Sequence, residues 1–226
     1  MNFFERVEKV FETWHYDHPR ILYSLMRSLK PEIAVEVGTY RGYAACYMAQ
    51  ALKENGRGHL YCIDDFSEGM QQRYGSDHWC DNLRVCGVLD WVTLIQGKSV
   101  DVAWPDSVDF AYIDGWHGYR TVALDFQNAA RRGAECICLD DVVSTVGPAL
   151  MAQRLRDGSE WGVCEIFRDC GLAICSRRMG RVLTFSQESE SNSGVVMTGW
   201  TMEQKREFLV GLTNETGVEY ADLALE

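Results

Sequence analysis

Before Pro31, apolar residues recur at helical spacing; after it, they fall into short unbroken runs. Phe3, Val7, Val10, Phe11 and Trp14 share one helical face. Ile21, Leu22, Leu25, Met26 and Leu29 do the same behind Asp17, His18 and Pro19, which suit a cap and first turn. Pro31 ends that second helix, because it cannot donate a backbone hydrogen bond.

The later runs are Ile33 to Val37, Leu60 to Ile63, Val92 to Ile95, Phe110 to Ile113 and Cys136 to Leu139. They are nearly continuous rather than alternating, as expected of parallel strands covered on both faces. Helical stretches separate them, at Tyr43 to Leu52, closed by Asn55-Gly56, and at Tyr119 to Arg132, closed by Gly133. Repeated strand and helix units predict an open, doubly wound, mostly parallel α/β sheet. A further helix is predicted from about Gly147 to Arg156. A hairpin follows, with strands Val163 to Phe167 and Leu172 to Cys175 around Asp169-Cys170-Gly171. An antiparallel pair closing a parallel sheet departs from a plain dinucleotide fold. The polar stretch Ser186 to Gly194 reads as a loop, and Met202 to Leu212 as one more helix.

With 226 residues and 46% hydrophobic content, the chain fits one domain, 1–226, with a full core. Its parts are N-terminal helices over 1–30, a ligand-binding core over 31–178 and an extension over 179–226. The net charge of −11 disfavours a nucleic-acid partner, and the basic pairs Arg131-Arg132 and Arg177-Arg178 are not interleaved with aromatics. No stretch is apolar enough for a membrane span, and the opening MNFFERVEKVFETW lacks the core of a secretory signal. Nine cysteines without a CxxC pair read as small buried hydrophobes in a reducing compartment, with the cytoplasm as the default location. The opening helices and the tail are places where a homodimer contact could form.

The first strand runs into Glu36-Val37-Gly38-Thr39-Tyr40-Arg41-Gly42-Tyr43, and a helix follows. Glycines at such a turn allow close approach of a ligand, and the helix N-terminus favours an anionic group such as a carboxylate. The next strand ends in Asp64 and Asp65, where an acid can accept hydrogen bonds from ribose hydroxyls. A dinucleotide or an adenosyl cofactor fits this much, as does a tight turn with no ligand. The dinucleotide fingerprint GxGxxG is absent, since Tyr40 stands at the middle glycine.

Glu36-x-Gly38-x-Tyr40-x-Gly42-Tyr43 resembles the first motif of class I S-adenosylmethionine-dependent methyltransferases, and its Tyr40 is similar to the catechol O-methyltransferase branch. The likeness covers roughly Pro31 to Arg178 and implies a Rossmann-like methyltransferase fold of seven strands. It also implies that Gly38, Thr39, Tyr40 and Gly42 hold the methionine part of S-adenosylmethionine, with Glu36 nearby and Asp64 on the ribose. Val92-Thr93-Leu94-Ile95-Gln96-Gly97-Lys98-Ser99 resembles the strand and turn beside the adenine, which makes Ser99 a candidate contact.

Three carboxylates close two successive strands, Asp114 after the run ending in Ile113 and Asp140-Asp141 after Leu139. Adjacent strands lie ~4.8 Å apart, so these acids can converge, and a hard cation such as Mg2+ would relieve their repulsion. The alternative is that Asp114 contacts the cofactor and Asp141 caps a loop, without metal. Metal-dependent O-methyltransferases carry a similar arrangement, often with Asn where Asp141 stands. Bacterial methyltransferases acting on sugars of natural products, resembled through Ile113-Asp114-Gly115-Trp116-His117 and Asp140-Asp141-Val142, use an all-acid set. His117 is the candidate general base, with an unperturbed pKa near ~6.5, or else a group that holds Asp114. The other histidines (15, 18, 59 and 78) read as surface or packing residues.

The expectation is an O-methyltransferase acting on a small hydroxylated acceptor, with Asp114, Asp140 and Asp141 holding Mg2+ and with Asp114 and His117 catalytic. Phe66 to Trp79 reads as a lid or a plain loop. The rival readings are a metal-independent methyltransferase, a non-catalytic adenosyl-binding module and a nucleotide-dependent oxidoreductase.

Overall fold

All five apolar runs form parallel strands, and the predicted hairpin adds two more. The computed structural model describes residues 1–12, 17–67, 75–158 and 160–177, which fall within one compact unit, Met1–Val182. The strands are β1 (Ile33–Val37), β2 (His59–Asp64), β3 (Val92–Gln96), β4 (Phe110–Ile113), β5 (Cys136–Leu139), β6 (Gly162–Ile166) and β7 (Leu172–Ser176). They form one seven-stranded sheet in the order β3-β2-β1-β4-β5-β7-β6. β7 runs antiparallel to β5 and to β6. β6 therefore points the same way as β5, and the hairpin turn lies at the edge where β1, β2, β4 and β5 end.

Successive side chains on a strand face opposite sides, which builds two apolar layers. Ala34, Leu60, Cys62, Phe110, Tyr112 and Cys138 pack under helices α1 (Phe3–Val10), α2 (His18–Leu29), α3 (Tyr43–Asn55) and α4 (Ser76–Cys86). Val35, Ile63, Ala111, Ile113, Ile137 and Leu139 pack under α5 (Tyr119–Arg131) and α6 (Val146–Gly158). The sheet is doubly wound, with a C-terminal antiparallel hairpin, as predicted.

α1 starts at a capping box in which Asn2 Oδ1 accepts from the Glu5 amide and Glu5 Oε2 accepts from the Asn2 amide, each at 2.9 Å. α2 stops where Lys30 turns left-handed ahead of Pro31. The lid expectation for Phe66 to Trp79 needs correction at its far end, since Ser76–Cys86 is a helix with Trp79 buried. Its apolar stripe, Trp79, Leu83 and Cys86, has helical spacing that the polar residues around it obscure. Residues 68–74, the loop Ser186 to Gly194, the helix Met202 to Leu212, and Trp14 lie outside the described residues.

Six of the nine cysteines are buried and all nine are free thiols. Among the described residues no helix is long and apolar enough to cross a membrane.

Candidate active site

The crevice forms at the carboxyl edge of the sheet, where strand ends in an open α/β fold face their ligands. The bend after β1 is fixed from below by Asp64, at the end of β2. Asp64 Oδ2 accepts from the Thr39 amide at 2.9 Å and the Tyr40 amide at 2.8 Å, and Oδ1 accepts from the Phe66 amide at 2.8 Å. These bonds hold Tyr40 left-handed at φ 48°. Asp64 is buried, so the residue expected on a ribose is also the staple of the loop. Glu36 lies deeper, 1% exposed, and accepts from Cys62 Sγ at 3.0 Å on the neighbouring strand. Burial pushes its carboxyl up to about 7.

Helix α4 fixes the same bend from outside. Trp79 Nε1 donates to Thr39 Oγ1 at 2.9 Å, and Asn82 Nδ2 donates to the Arg41 carbonyl at 2.9 Å. Trp79 was read from sequence only as the far end of a loop. Gly38 has φ 83°, and a Cβ there would stand 2.2 Å from the Asp114 carbonyl oxygen. The bend thus lies directly against the end of β4. Past β3, the Gly97 amide donates to the Asp64 carbonyl at 2.9 Å, and Trp104 Nε1 donates to the Ser99 carbonyl at 2.8 Å. Ser99 is buried beside the end of β2.

Asp114, His117 and Asp141 come together, with one ligand atom of each within 4.8 Å of the others. β5 ends in a left-handed turn at Asp141, φ 59°, where Ser144 Oγ donates to Asp141 Oδ1 at 2.6 Å. His117 Nε2 lies 2.8 Å from Asp141 Oδ2 and 4.0 Å from Asp114 Oδ1. Asp140, grouped with these acids by the sequence, is engaged elsewhere. The buried Tyr112 hydroxyl donates to Asp140 Oδ2 at 2.6 Å and lies 3.2 Å from Asp114 Oδ2, bridging the two carboxylates.

The other oxygen of Asp140 faces His18, which the sequence reading passed over as surface or packing. His18 is 2% exposed, with Nδ1 at 2.7 Å from Asp140 Oδ1 and Nε2 at 3.1 Å from the Arg168 carbonyl. Both ring nitrogens meet acceptors, an arrangement that suits an imidazolium. Burial opposes that charge, yet Asp140 and the carbonyl raise the His18 pKa above its ordinary value. Arg168 Nη1 pairs with Asp17 Oδ2 at 3.1 Å, so the start of α2 is bound to the hairpin turn.

The electrostatics of the trio follow from its crowding. Burial, then repulsion from Asp140, raises the Asp114 carboxyl well above the usual carboxylate range, with His117 pulling the other way. Burial would also raise Asp141, but hydrogen bonds from His117 and Ser144 hold it below the ordinary value. Its contacts with Asp114 and Asp141 push the His117 imidazole up to about 10. The ring near ~6.5 expected from sequence does not hold here: His117 is the cation of this cluster.

Two carboxylates and an imidazole are hard-to-borderline donors that suit a divalent ion, and the unrelieved repulsion on Asp114 calls for positive charge. Asp114 and Asp141 would be its oxygen ligands, and Asp140 could join by releasing Tyr112.

Residues 35–141 match the family model described as a methyltransferase domain. The sheet order and terminal hairpin are those of a Rossmann-like methyltransferase fold, and the resemblance to class I O-methyltransferases stands. Among solved structures, the chain is similar to the O-methyltransferase TomG of Streptomyces achromogenes, involved in tomaymycin synthesis and solved with S-adenosylmethionine. The identity is 18% and the TM-score 0.58, over 76% of this chain and 86% of that one. An O-methyltransferase of Bacillus cereus, solved with S-adenosylhomocysteine, gives 16% identity and a TM-score of 0.61 over 76% and 90% of the two chains. The S-adenosylhomocysteine-bound methyltransferase PaMTH1 of Podospora anserina gives 14% and 0.58 over 77% and 86%. No curated protein sequence matches the chain.

Proposed function

We propose that the protein is an S-adenosylmethionine-dependent O-methyltransferase that methylates a hydroxyl of a small molecule, with help from a divalent ion such as Mg2+. The observation that carries this reading is the contact between the Gly38 bend and the Asp114 backbone, which gives the cofactor cradle and the acidic trio a common wall. A methyl donor in the cradle would thereby lie beside an acceptor held at the acids.

Gly38, Thr39, Tyr40 and Gly42 would receive the amino-acid end of the cofactor, near the N-terminus of α3, which no side chain caps. Ser99 would meet the purine, and Asp64 would hold the bend while facing the ribose. The sulfonium is already an activated donor, so the chain has only to align the acceptor oxygen, exclude water and take a proton. A bound divalent ion would supply a Lewis acid that lowers the pKa of the acceptor hydroxyl. Asp114 and Asp141 orient the acceptor side, and Tyr112 and His18 fix Asp140 behind them. His117 stays an imidazolium while both carboxylates are otherwise unneutralised. Once they are neutralised, its ring returns toward the ordinary range and can accept the hydroxyl proton at Nε2.

A second reading also has an observation behind it. His117 already supplies positive charge between Asp114 and Asp141, which would let a metal-independent methyltransferase use the same crevice. Transfer of a labelled methyl group from S-adenosylmethionine to hydroxylated small molecules, with Mg2+ or with a chelator, separates the two. Transfer lost with the chelator supports the metal enzyme, and transfer retained supports the second reading. Absence of S-adenosylmethionine binding in calorimetry would discard both. The nine free thiols favour a reducing compartment such as the cytoplasm.

A further inference from the structure

Asp125 is a buried acid with no part in the chemistry above. It lies on α5, 1% exposed, on the face that also buries Val122, Phe126 and Ala129. Both carboxylate oxygens are enclosed and lack an aligned hydrogen bond. A buried carboxylate in an apolar wall is costly unless a donor satisfies it. Among the described residues, the polar side chain that favours its ionised form is Ser99.

Ser99 is confined. It is buried in the turn after β3, its carbonyl held by Trp104 Nε1 at 2.8 Å. The same turn is closed by the Asp101 and Val102 amides, which donate to the Lys98 carbonyl at 2.9 and 3.1 Å. Its hydroxyl has one proton and two lone pairs to place. With the proton turned to Asp125, a small rotation that also satisfies the acid, Ser99 can offer a ligand only an acceptor.

We propose that Asp125 is a positioning residue for cofactor specificity: its carboxylate takes the Ser99 hydroxyl proton, so that Ser99 Oγ accepts from a 6-amino purine and rejects a 6-oxo purine. The inference rests on the reading of Ser99 as the purine contact. An amino group donates toward Oγ, whereas a carbonyl would set two acceptors against each other, and the acid behind Ser99 prevents the hydroxyl from turning to help.

The test is calorimetry at pH 8 with S-adenosylhomocysteine and its 6-oxo counterpart, S-inosylhomocysteine, on the full chain. Wild type is expected to bind the 6-amino ligand at least about tenfold more tightly. Asp125→Asn can donate its amide to Ser99 Oγ and turn the hydroxyl outward, and it should bring the ratio within about threefold. Asp125→Ser, which cannot impose a charged acceptor, should do the same, so either variant suffices if thermal unfolding shows it folded. Ser99→Ala should also lose the preference. A wild-type ratio retained in the folded Asp125 variants overturns the proposal. If Ser99→Ala loses the ratio while those variants keep it, the purine contact survives and only the role of Asp125 falls. Failure of wild type to bind S-adenosylhomocysteine overturns the proposed function along with it.

Discussion

His18 Nδ1 stands 2.7 Å from Asp140 Oδ1, which ties the first turn of α2 to the acid at the end of β5. Through Tyr112, whose hydroxyl lies 2.6 Å from Asp140 and 3.2 Å from Asp114, the contact reaches the acidic trio. A residue on a peripheral helix thereby governs how the floor of the crevice is arranged. His18→Ala should lower turnover about 10- to 100-fold, the range seen when the supports of functional carboxylates and histidines are removed. The affinity for S-adenosylhomocysteine should hold, because His18 does not touch the Gly38 bend. Unchanged turnover would show that Asp140 needs no such support.

Trp79→Phe keeps the ring in the core and removes its donor to Thr39 Oγ1, a buried bond of 2.9 Å. The loss should cost about 1 kcal/mol, or about fivefold, in affinity for S-adenosylhomocysteine. Calorimetry on the two proteins decides it. Equal affinities would mean that α4 packs against the bend without holding its shape.

Gly147→Ala would drive a Cβ to 2.1 Å from the His117 carbonyl oxygen and 2.7 Å from the Tyr119 amide. Both are backbone atoms, so the loop carrying His117 must shift. The variant should lose about 1–3 kcal/mol of stability and more than about tenfold in turnover. Melting curves and initial rates measured on one preparation test both effects.

Burial pushes the Asp125 carboxyl up to about 7. A folded-state value raised above the unfolded one means that Asp125 contributes most stability in acid and loses it as pH rises toward 7. Asp125→Asn does not titrate. Its melting temperature relative to wild type should therefore climb between pH 4 and about pH 7 and then level off. A flat difference across that range would show that the carboxyl is not held neutral by its surroundings.

The strands were legible because parallel strands buried on two faces must be nearly continuous in apolar residues, as Ile33–Val37 and Cys136–Leu139 are. The acids at their ends were legible for the same reason, since the end of an unbroken run is easy to locate. α4 was not, because Ser76, Asp77, His78, Asp81 and Asn82 dilute the stripe of Trp79, Leu83 and Cys86. His18 and Asp125 could not be read at all. Each owes its position to a partner far along the chain, Asp140 or Ser99, and no local pattern encodes such a meeting. The division of labour among the acids was equally hidden. Adjacent residues on one strand face opposite ways, so Asp140 turns to Tyr112 and His18 while Asp141 turns to His117.

The three amides that Asp64 gathers, from Thr39, Tyr40 and Phe66, have a consequence for the speed of the protein. A cradle already frozen into shape asks no ordering of an arriving nucleoside, since that entropic cost is met once, when the chain folds. Exchange of spent cofactor for fresh can then proceed without any local refolding. Any slow conformational step in the catalytic cycle would have to arise somewhere other than this bend.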